Sequence, residues 1–391
     1  MIKKQSYIYF LGTYPPRKCG IATFTYDLSS AFNRAANPKL KSKIGAMNDN
    51  NSEYNYDDRV MFQINDADAK EYIIAANEIN NDENTKLVSV QHEFKIFGSD
   101  YGENLLSFLE TLKKPVATTL HTVLPYPSEH RRDIIRAIAN HSNKLVVMSN
   151  NAVDILKEHY NIDESKIEVI PHGIHKVEHV SNLSLKEELG YSDRDLITSF
   201  GFLRPGRGTR SSGRGYEYVI DAMPDIVEKY PNVLYLIIGV THPKYLKSEG
   251  ESYREFLQNK VIELGLEKNV KFINKYVTLR ELFRYLQATD IYICSSLNPD
   301  QIVSGTLSYA MGCGCAVIST PFLYAKEFIS PEQGILLDDF GEPELISNAV
   351  IKLLSDSDLR SRLGQNAYNS TRHMLWRNVA KSYKKVFESI I

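Results

Sequence analysis

Short apolar runs alternate with amphipathic stretches along the chain, and the alternation occurs twice, on either side of a lapse between Pro171 and Asp195. In the first half the spacing predicts strands at Tyr7–Leu11, Val60–Ile64, Leu87–His92, Val116–His121, Leu145–Met148 and Ile167–Ile170, with helical periodicity between most of them. In the second half it predicts strands at Leu196–Gly201, Val233–Gly239, Val270–Ile273, Ile291–Ser295, Ala316–Ser319 and Gly334–Leu337. Beyond Asp338 the pattern is helical, over Glu342–Leu354, Ser357–Ser370 and Trp376–Ile391. Strands that alternate with helices need crossover connections, so each half is expected to be a doubly wound α/β domain. A chain of 391 residues is also too long for one ordinary core. The lapse, with its turn-rich Pro171-His172-Gly173-Ile174-His175 and polar continuation, reads as an interdomain linker.

Several function classes fall away at this stage. A formal net charge of -2 gives no reason to expect nucleic acid as a partner. The four cysteines, Cys19, Cys294, Cys313 and Cys315, lack the paired spacing of a zinc site and are expected to be reduced thiols in a cytoplasmic protein. No apolar run approaches the roughly 20 residues of a membrane-spanning helix, so any membrane association would be peripheral, at the inner face. The opening MIKKQSYIYFLG is read as a first strand and not as a signal peptide, because Pro15-Pro16-Arg17-Lys18 follows in place of a small-residue cleavage site. The stretch from His130 to Ile138 is a basic amphipathic helix, read as an ordinary packed helix with a solvated face in preference to a lipid-binding one.

In parallel sheets ligands gather at the carboxyl ends of the strands. Five such ends stand out. After the first strand, a loop with Arg17 and Lys18 enters a helix at Gly20, where an anion or a sugar would fit. Gln91-His92-Glu93 and Leu120-His121-Thr122 put polar groups and two histidines at neighbouring strand tips. After the first strand of the second half comes Gly201 to Gly215, with Arg204, Arg207, Arg210 and Arg214 among glycines and serines. Such arginines suit a diphosphate, although a solvated loop is an equal reading for Arg207 and Arg210. Finally, Tyr292 to Thr320 is one βαβ unit whose helix opens at Ser304-Gly305-Thr306 with no acid in its first turn. Free N–H groups and the positive dipole end there suit a phosphate.

Taken together, the chain resembles a retaining glycosyltransferase of family 4, with the GT-B fold. The residues that carry the resemblance are the Gly20 loop, Leu120-His121-Thr122, Ile170-Pro171-His172-Gly173-Ile174, Arg214-Gly215 before a helix, and Tyr309-Ala310-Met311-Gly312-Cys313-Gly314. The wording QHEFxIFG and QxVSGTLxYA is similar to a bacterial subgroup. The paired glutamates usual in the family fall on Asp300 and Ser308, and a stretch from Arg207 to Gly213 looks inserted before Arg214.

The resemblance implies two Rossmann-like domains facing a central cleft: residues 1–175 for the acceptor, with helix 376–391 packing back on them, and 176–375 for the donor. It assigns catalysis to His121, Asp300 and Arg214. Donor binding falls to Gly20, Arg204, Arg214, Gln301, Ile302, Val303, Ser304, Gly305, Thr306 and Ser308, and acceptor binding to Arg17, His92 and Glu93. The implied reaction transfers a hexose, mannose from GDP-mannose as the expected donor, to a hydroxyl of a saccharide or glycolipid, with retention and with no metal or other cofactor. The resemblance also implies domain closure about Pro171 to Asp195. The rival expectations are a disaccharide phosphorylase of the same fold and a non-catalytic nucleotide-sugar-binding protein.

Overall fold

The computed structural model describes residues 5–36, 40–49, 52–178, 182–206 and 213–391. It divides into two compact units, Met1–Gly173 with His373–Ile391, and Ile174–Arg372.

Unit 1 is a seven-stranded parallel sheet with helices between its strands. Its elements are β1 (Ser6–Gly12), α1 (Gly20–Ala36), β2 (Leu40–Asn48), β3 (Val60–Asn65), α2 (Ala69–Asn81), β4 (Thr85–His92), α3 (Asn104–Thr111), β5 (Val116–Leu120), α4 (Glu129–His141), β6 (Lys144–Val147), α5 (Asn150–Tyr160) and β7 (Ile167–Val169). The strand order is β3-β2-β1-β4-β5-β6-β7. Strand order therefore reverses between β1 and β4, the place where doubly wound sheets open a crevice at their carboxyl edge. β4 and β5 are almost wholly buried, as strands covered on both faces must be.

β2 is an addition to the expected strands. Lys41, Lys43 and Gly45 break its apolar pattern. The Lys43 ammonium is nonetheless neutralised by Asp82 at 3.0 Å and lies 4.1 Å above the Tyr7 ring, so a charged residue is accommodated on a sheet face. Gly45 is needed because a Cβ there would sit 2.5 Å from the Phe62 ring of β3.

Unit 2 holds α6 (Asn182–Leu189), β8 (Asp195–Phe200), α7 (Tyr216–Lys229), β9 (Val233–Ile238), α8 (Pro243–Glu249), α9 (Ser252–Glu263), β10 (Val270–Ile273), α10 (Leu279–Ala288), β11 (Ile291–Cys294), α11 (Gly305–Gly312), β12 (Ala316–Ser319), α12 (Leu323–Phe328), β13 (Gly334–Leu336), α13 (Pro343–Ser355) and α14 (Ser357–Ser370). Its parallel sheet runs β10-β9-β8-β11-β12-β13, with the reversal between β8 and β11. All six residues of β9 are buried, and the core extends through Val219, Met223 and Ile226 of α7 to Val350 and Leu353 of α13.

The lapse after Pro171 is only partly a linker. α6 falls inside it, with Leu185 in the core beside Leu196 and Leu234, and the Lys186 ammonium 2.5 Å from the Asp290 carboxylate. One amphipathic turn among polar residues, LSLKEEL, was too short a pattern to separate from a loop.

The last helix, α15 (Trp376–Glu388), belongs to unit 1 and ends three residues before the expected Ile391. Phe387 packs 5.5 Å from Phe32 of α1, and the Tyr383 hydroxyl meets Thr119 Oγ1 of β5 at 3.0 Å. Trp376 lies against Gly173 so closely that a Cβ on that glycine would come within 2.2 Å of the indole. Among the described residues no helix is long and apolar enough to cross a membrane.

Candidate active site

In unit 2 the loops after β8 and β11 meet at the strand-order reversal. The loop after β8 leaves through Gly201, whose φ of +140° suits glycine, and enters α7 through the left-handed Gly215 at +63°. Between them Leu203 pairs with Thr241, and the Arg214 N–H donates to the Arg204 carbonyl at 3.3 Å. The β11 loop closes on this strap: Ser295 Oγ donates to the Arg214 carbonyl at 2.7 Å, and the Leu297 N–H to that of Gly213 at 3.1 Å. Arg207 and Arg210 lie outside the described residues.

The Arg214 side chain is half-buried and covers Gly201, where a Cβ would stand 3.3 Å from its guanidinium. Among the described residues it makes no ion pair, and its Nε is buried without a hydrogen-bond partner. Burial pushes the Cys294 thiol and the Tyr292 phenol up, and the Arg214 charge opposes the rise at both. Ser304 also opposes the rise at the thiol and Thr306 that at the phenol, so the guanidinium and the first turn of α11 share one neighbourhood. That first turn holds no acid, and Ser304 caps it by accepting from the Leu307 N–H. An uncompensated cation beside an acid-free helix start is a site for an anion with several oxygens.

The other donor-side residues divide. Gly305, Thr306, Val303 and Asp300 are partly exposed, whereas Ile302 and Ser304 are buried. Asp300 bonds through its N–H to Asn298 Oδ1 at 3.2 Å. Gln301 braces the loop, accepting from Ser296 Oγ and donating to the Val303 carbonyl, each at 2.8 Å. Ser308 must be withdrawn from the donor set. It has no exposed surface, and its hydroxyl is held between the Ser304 carbonyl and the Tyr324 hydroxyl at 2.9 Å each.

Gly215→Ala is expected to lower the stability of the protein by about 2 kcal/mol, through the left-handed φ and through the Ser295 carbonyl, 2.3 Å from the new Cβ. Chemical denaturation reads the loss, and an unchanged midpoint would show that the strap is not seated on the β11 loop.

In unit 1 the tips of β4 and β5 bring together Gln91, His92, Glu93 and His121, while Arg17 and Gly20 lie in the loop and helix start that follow β1. Gly20 is exposed and a Cβ there meets nothing within 4 Å, so the start of α1 is open. Arg17 is anchored by the Met47 carbonyl at 2.9 Å and lies 3.7 Å from Asp49. Glu93 accepts from the Thr122 hydroxyl at 2.7 Å and from the Phe94 N–H at 3.0 Å. His121 is 7% exposed, with Nε2 at 3.1 Å from Gln91 Oε1 and its ring against the edge of Phe24. Burial pulls its pKa down to about 3, helped by repulsion from His172 and His92, so the imidazole is neutral.

His92 must be withdrawn from the acceptor set as a surface group. It is wholly buried, stacked 6.0 Å from Phe97 and edge-on to Phe94, and neither ring nitrogen has a hydrogen-bond partner. Sequence reasoning left Gln91 out of the site. A glutamine in a strand buried on both faces must find a partner, and that requirement pointed to its neighbour at the next strand tip. Among the described residues no group of three or more His, Cys, Asp or Glu is placed to hold a metal ion.

Residues 207–370 match the family model of group 1 glycosyl transferases, and residues 91–176 that of glycosyltransferase family 4. An uncharacterized glycosyltransferase of Methanocaldococcus jannaschii is 27% identical over 66% of this chain and 62% of its own length. The D-inositol 3-phosphate glycosyltransferase of Corynebacterium efficiens is 25% identical over 66% of this chain and 59% of its own. The chain thus spans about three fifths of the length of these curated relatives. Sucrose-phosphate synthase of Thermosynechococcus elongatus superposes with a TM-score of 0.79 at 15% identity, covering 98% of this chain and 99% of that one. Anabaena HepE, solved with UDP-glucose, does so with a TM-score of 0.75 at 16% identity, over 98% of this chain and 99% of its own. Two Rossmann-like units with this likeness are the GT-B fold, and with the two family matches they support a glycosyltransferase. Within that class the chain is similar to family 4.

Proposed function

We propose that the protein is a retaining hexosyltransferase that moves a hexose from a nucleoside diphosphate sugar to a hydroxyl of a saccharide or lipid-linked saccharide. The reading rests on Arg214, a cation with no ion pair among the described residues, beside the acid-free start of α11 at the strand-order reversal of unit 2. In the reaction the bond from the anomeric carbon to the diphosphate oxygen breaks, and the acceptor oxygen bonds to that carbon on the same face. The acceptor proton passes to the departing phosphate oxygen. Arg214 and the α11 N–H groups stabilise the charge that develops there, a task that a metal ion would otherwise perform. Asp300 and the neutral His121 orient sugar hydroxyls. No protein base is required, in keeping with a His121 whose basicity burial suppresses.

The resemblance favours GDP-mannose as donor, and the Anabaena structure with UDP-glucose makes that sugar the second arm of the test. A ligand that binds only the folded state, at a hundred times its Kd, adds about 2.7 kcal/mol and raises the melting temperature by several degrees. The expected result is such a rise with one nucleotide family among GDP, UDP, ADP and dTDP, kept in EDTA, followed by transfer from its sugar conjugate. A rise with inorganic phosphate alone would replace the transferase by a phosphorylase, and no rise with any ligand would overturn the donor site.

A further inference from the structure

We propose that Gln91 is a positioning residue that holds His121 in the tautomer protonated at Nε2, leaving Nδ1 as a hydrogen-bond acceptor for a sugar hydroxyl. The sugar contact rests on the transferase reading above, whereas the tautomer rests on the packing and burial within unit 1.

Gln91 has no exposed surface and belongs to β4, between β1 and β5. On the β1 side Gly12 makes room for it, since a Cβ there would stand 3.0 Å from that of Gln91. Its Nε2 donates to Ser89 Oγ at 3.2 Å, two residues back along the strand and on the same face. In this amide orientation the nitrogen faces Ser89 and Oε1 faces His121 Nε2, at 3.1 Å. An amide oxygen only accepts, so Nε2 of His121 must carry hydrogen. The imidazole is neutral and has one such hydrogen to place, so Nδ1 keeps its lone pair. Among the described residues Nδ1 has no hydrogen-bond partner.

The consequence is chemical. A neutral Nε2–H histidine offers substrate an acceptor and no charge, so it aligns a hydroxyl that donates. The opposite amide orientation would turn the N–H groups of Gln91 toward His121 and move the ring hydrogen to Nδ1, which would then repel a donating hydroxyl. Ser89 is therefore as much part of the device as Gln91, although neither touches the substrate.

The test begins with the unsubstituted protein labelled with 15N in histidine, where long-range proton–nitrogen correlation spectra report which ring nitrogen bears hydrogen. His121 is identified by the loss of its signals in His121→Asn. The expected state is Nε2–H, and an Nδ1–H state would overturn the proposal whatever the activity. Ser89→Ala is the milder substitution. It frees the amide to turn, and is expected to mix the two tautomers and lower kcat by about tenfold with the donor KM changed much less. Gln91→Leu is expected to do the same more severely. An Nε2–H spectrum that survives Ser89→Ala, or a mixed spectrum with kcat unchanged, would remove the positioning role while leaving the transferase reading intact. Because the spectra need no substrate, failure to find a donor sugar would not blur the tautomer result.

Discussion

Turnover is expected to fall by about two to three orders of magnitude when Arg214 is replaced by alanine, the loss that follows removal of one fixed electrostatic donor from a transition state. The fold should survive. The strap is held by main-chain atoms of residue 214, the N–H toward the Arg204 carbonyl and the carbonyl from Ser295 Oγ, and alanine keeps both. The guanidinium makes no ion pair among the described residues, so no buried carboxylate is orphaned by its removal. The melting temperature should accordingly move by only about a degree or two. Arg214→Lys separates charge from shape: a single ammonium keeps the charge but loses the planar fork that meets two phosphate oxygens, so partial recovery is expected. Unchanged turnover in Arg214→Ala would take the residue out of the site. A collapse of the melting temperature would instead make it a structural prop of the strap.

How much of this was legible beforehand varies with the physics of each segment. β10 and β12 emerge with their expected ends, Val270–Ile273 and Ala316–Ser319, because each is a short run with two β-branched apolar residues, set off by Asn269 and Asn274 in one case and by Gly314 and Thr320 in the other. Repeating that alternation twice yields two doubly wound units, and it was the family resemblance that named them the GT-B fold. β2 was hidden because its lysines owe their place to a tertiary partner, Asp82, that no local pattern announces. The start of α11 could be read directly, since Ser304 and the missing acids are local facts. The fates of Ser308 and His92 could not, because burial is decided by what packs on top: Tyr324 reaches back across sixteen residues to take the serine hydroxyl, and Phe94 and Phe97 fold over the histidine. Gln301 shows the same limit. The resemblance marked it for ligand work, but much of its amide is spent on Ser296 and Val303 of its own loop.

The second large effect is expected far from any ligand, at Lys186. This side chain is 6% exposed and the Asp290 carboxylate 10%, so the pair is shielded from water and its members depend on each other. Asp290 also accepts from the Leu196 N–H at 2.7 Å, which ties the start of β8 to the same carboxylate. Lys186→Met keeps the apolar stem but leaves a buried charge with one hydrogen bond. Loss of one partner from such a pair costs about 3 kcal/mol, or roughly 6 to 12 °C in a unit of this size. The carboxylate, not the missing lysine, is then the source of the damage. Adding Asp290→Asn removes the stranded charge and keeps an oxygen for the Leu196 N–H, so the double variant should regain about 2 kcal/mol over Lys186→Met. The cycle is read by chemical denaturation. A loss below about 1 kcal/mol in Lys186→Met would mean that water reaches the pair, because solvated ion pairs contribute no more than that. If the double variant falls further than the single one, the hydrogen bond to Leu196 outweighs the charge, and α6 is anchored by the Leu185 contacts in the core and not by its lysine.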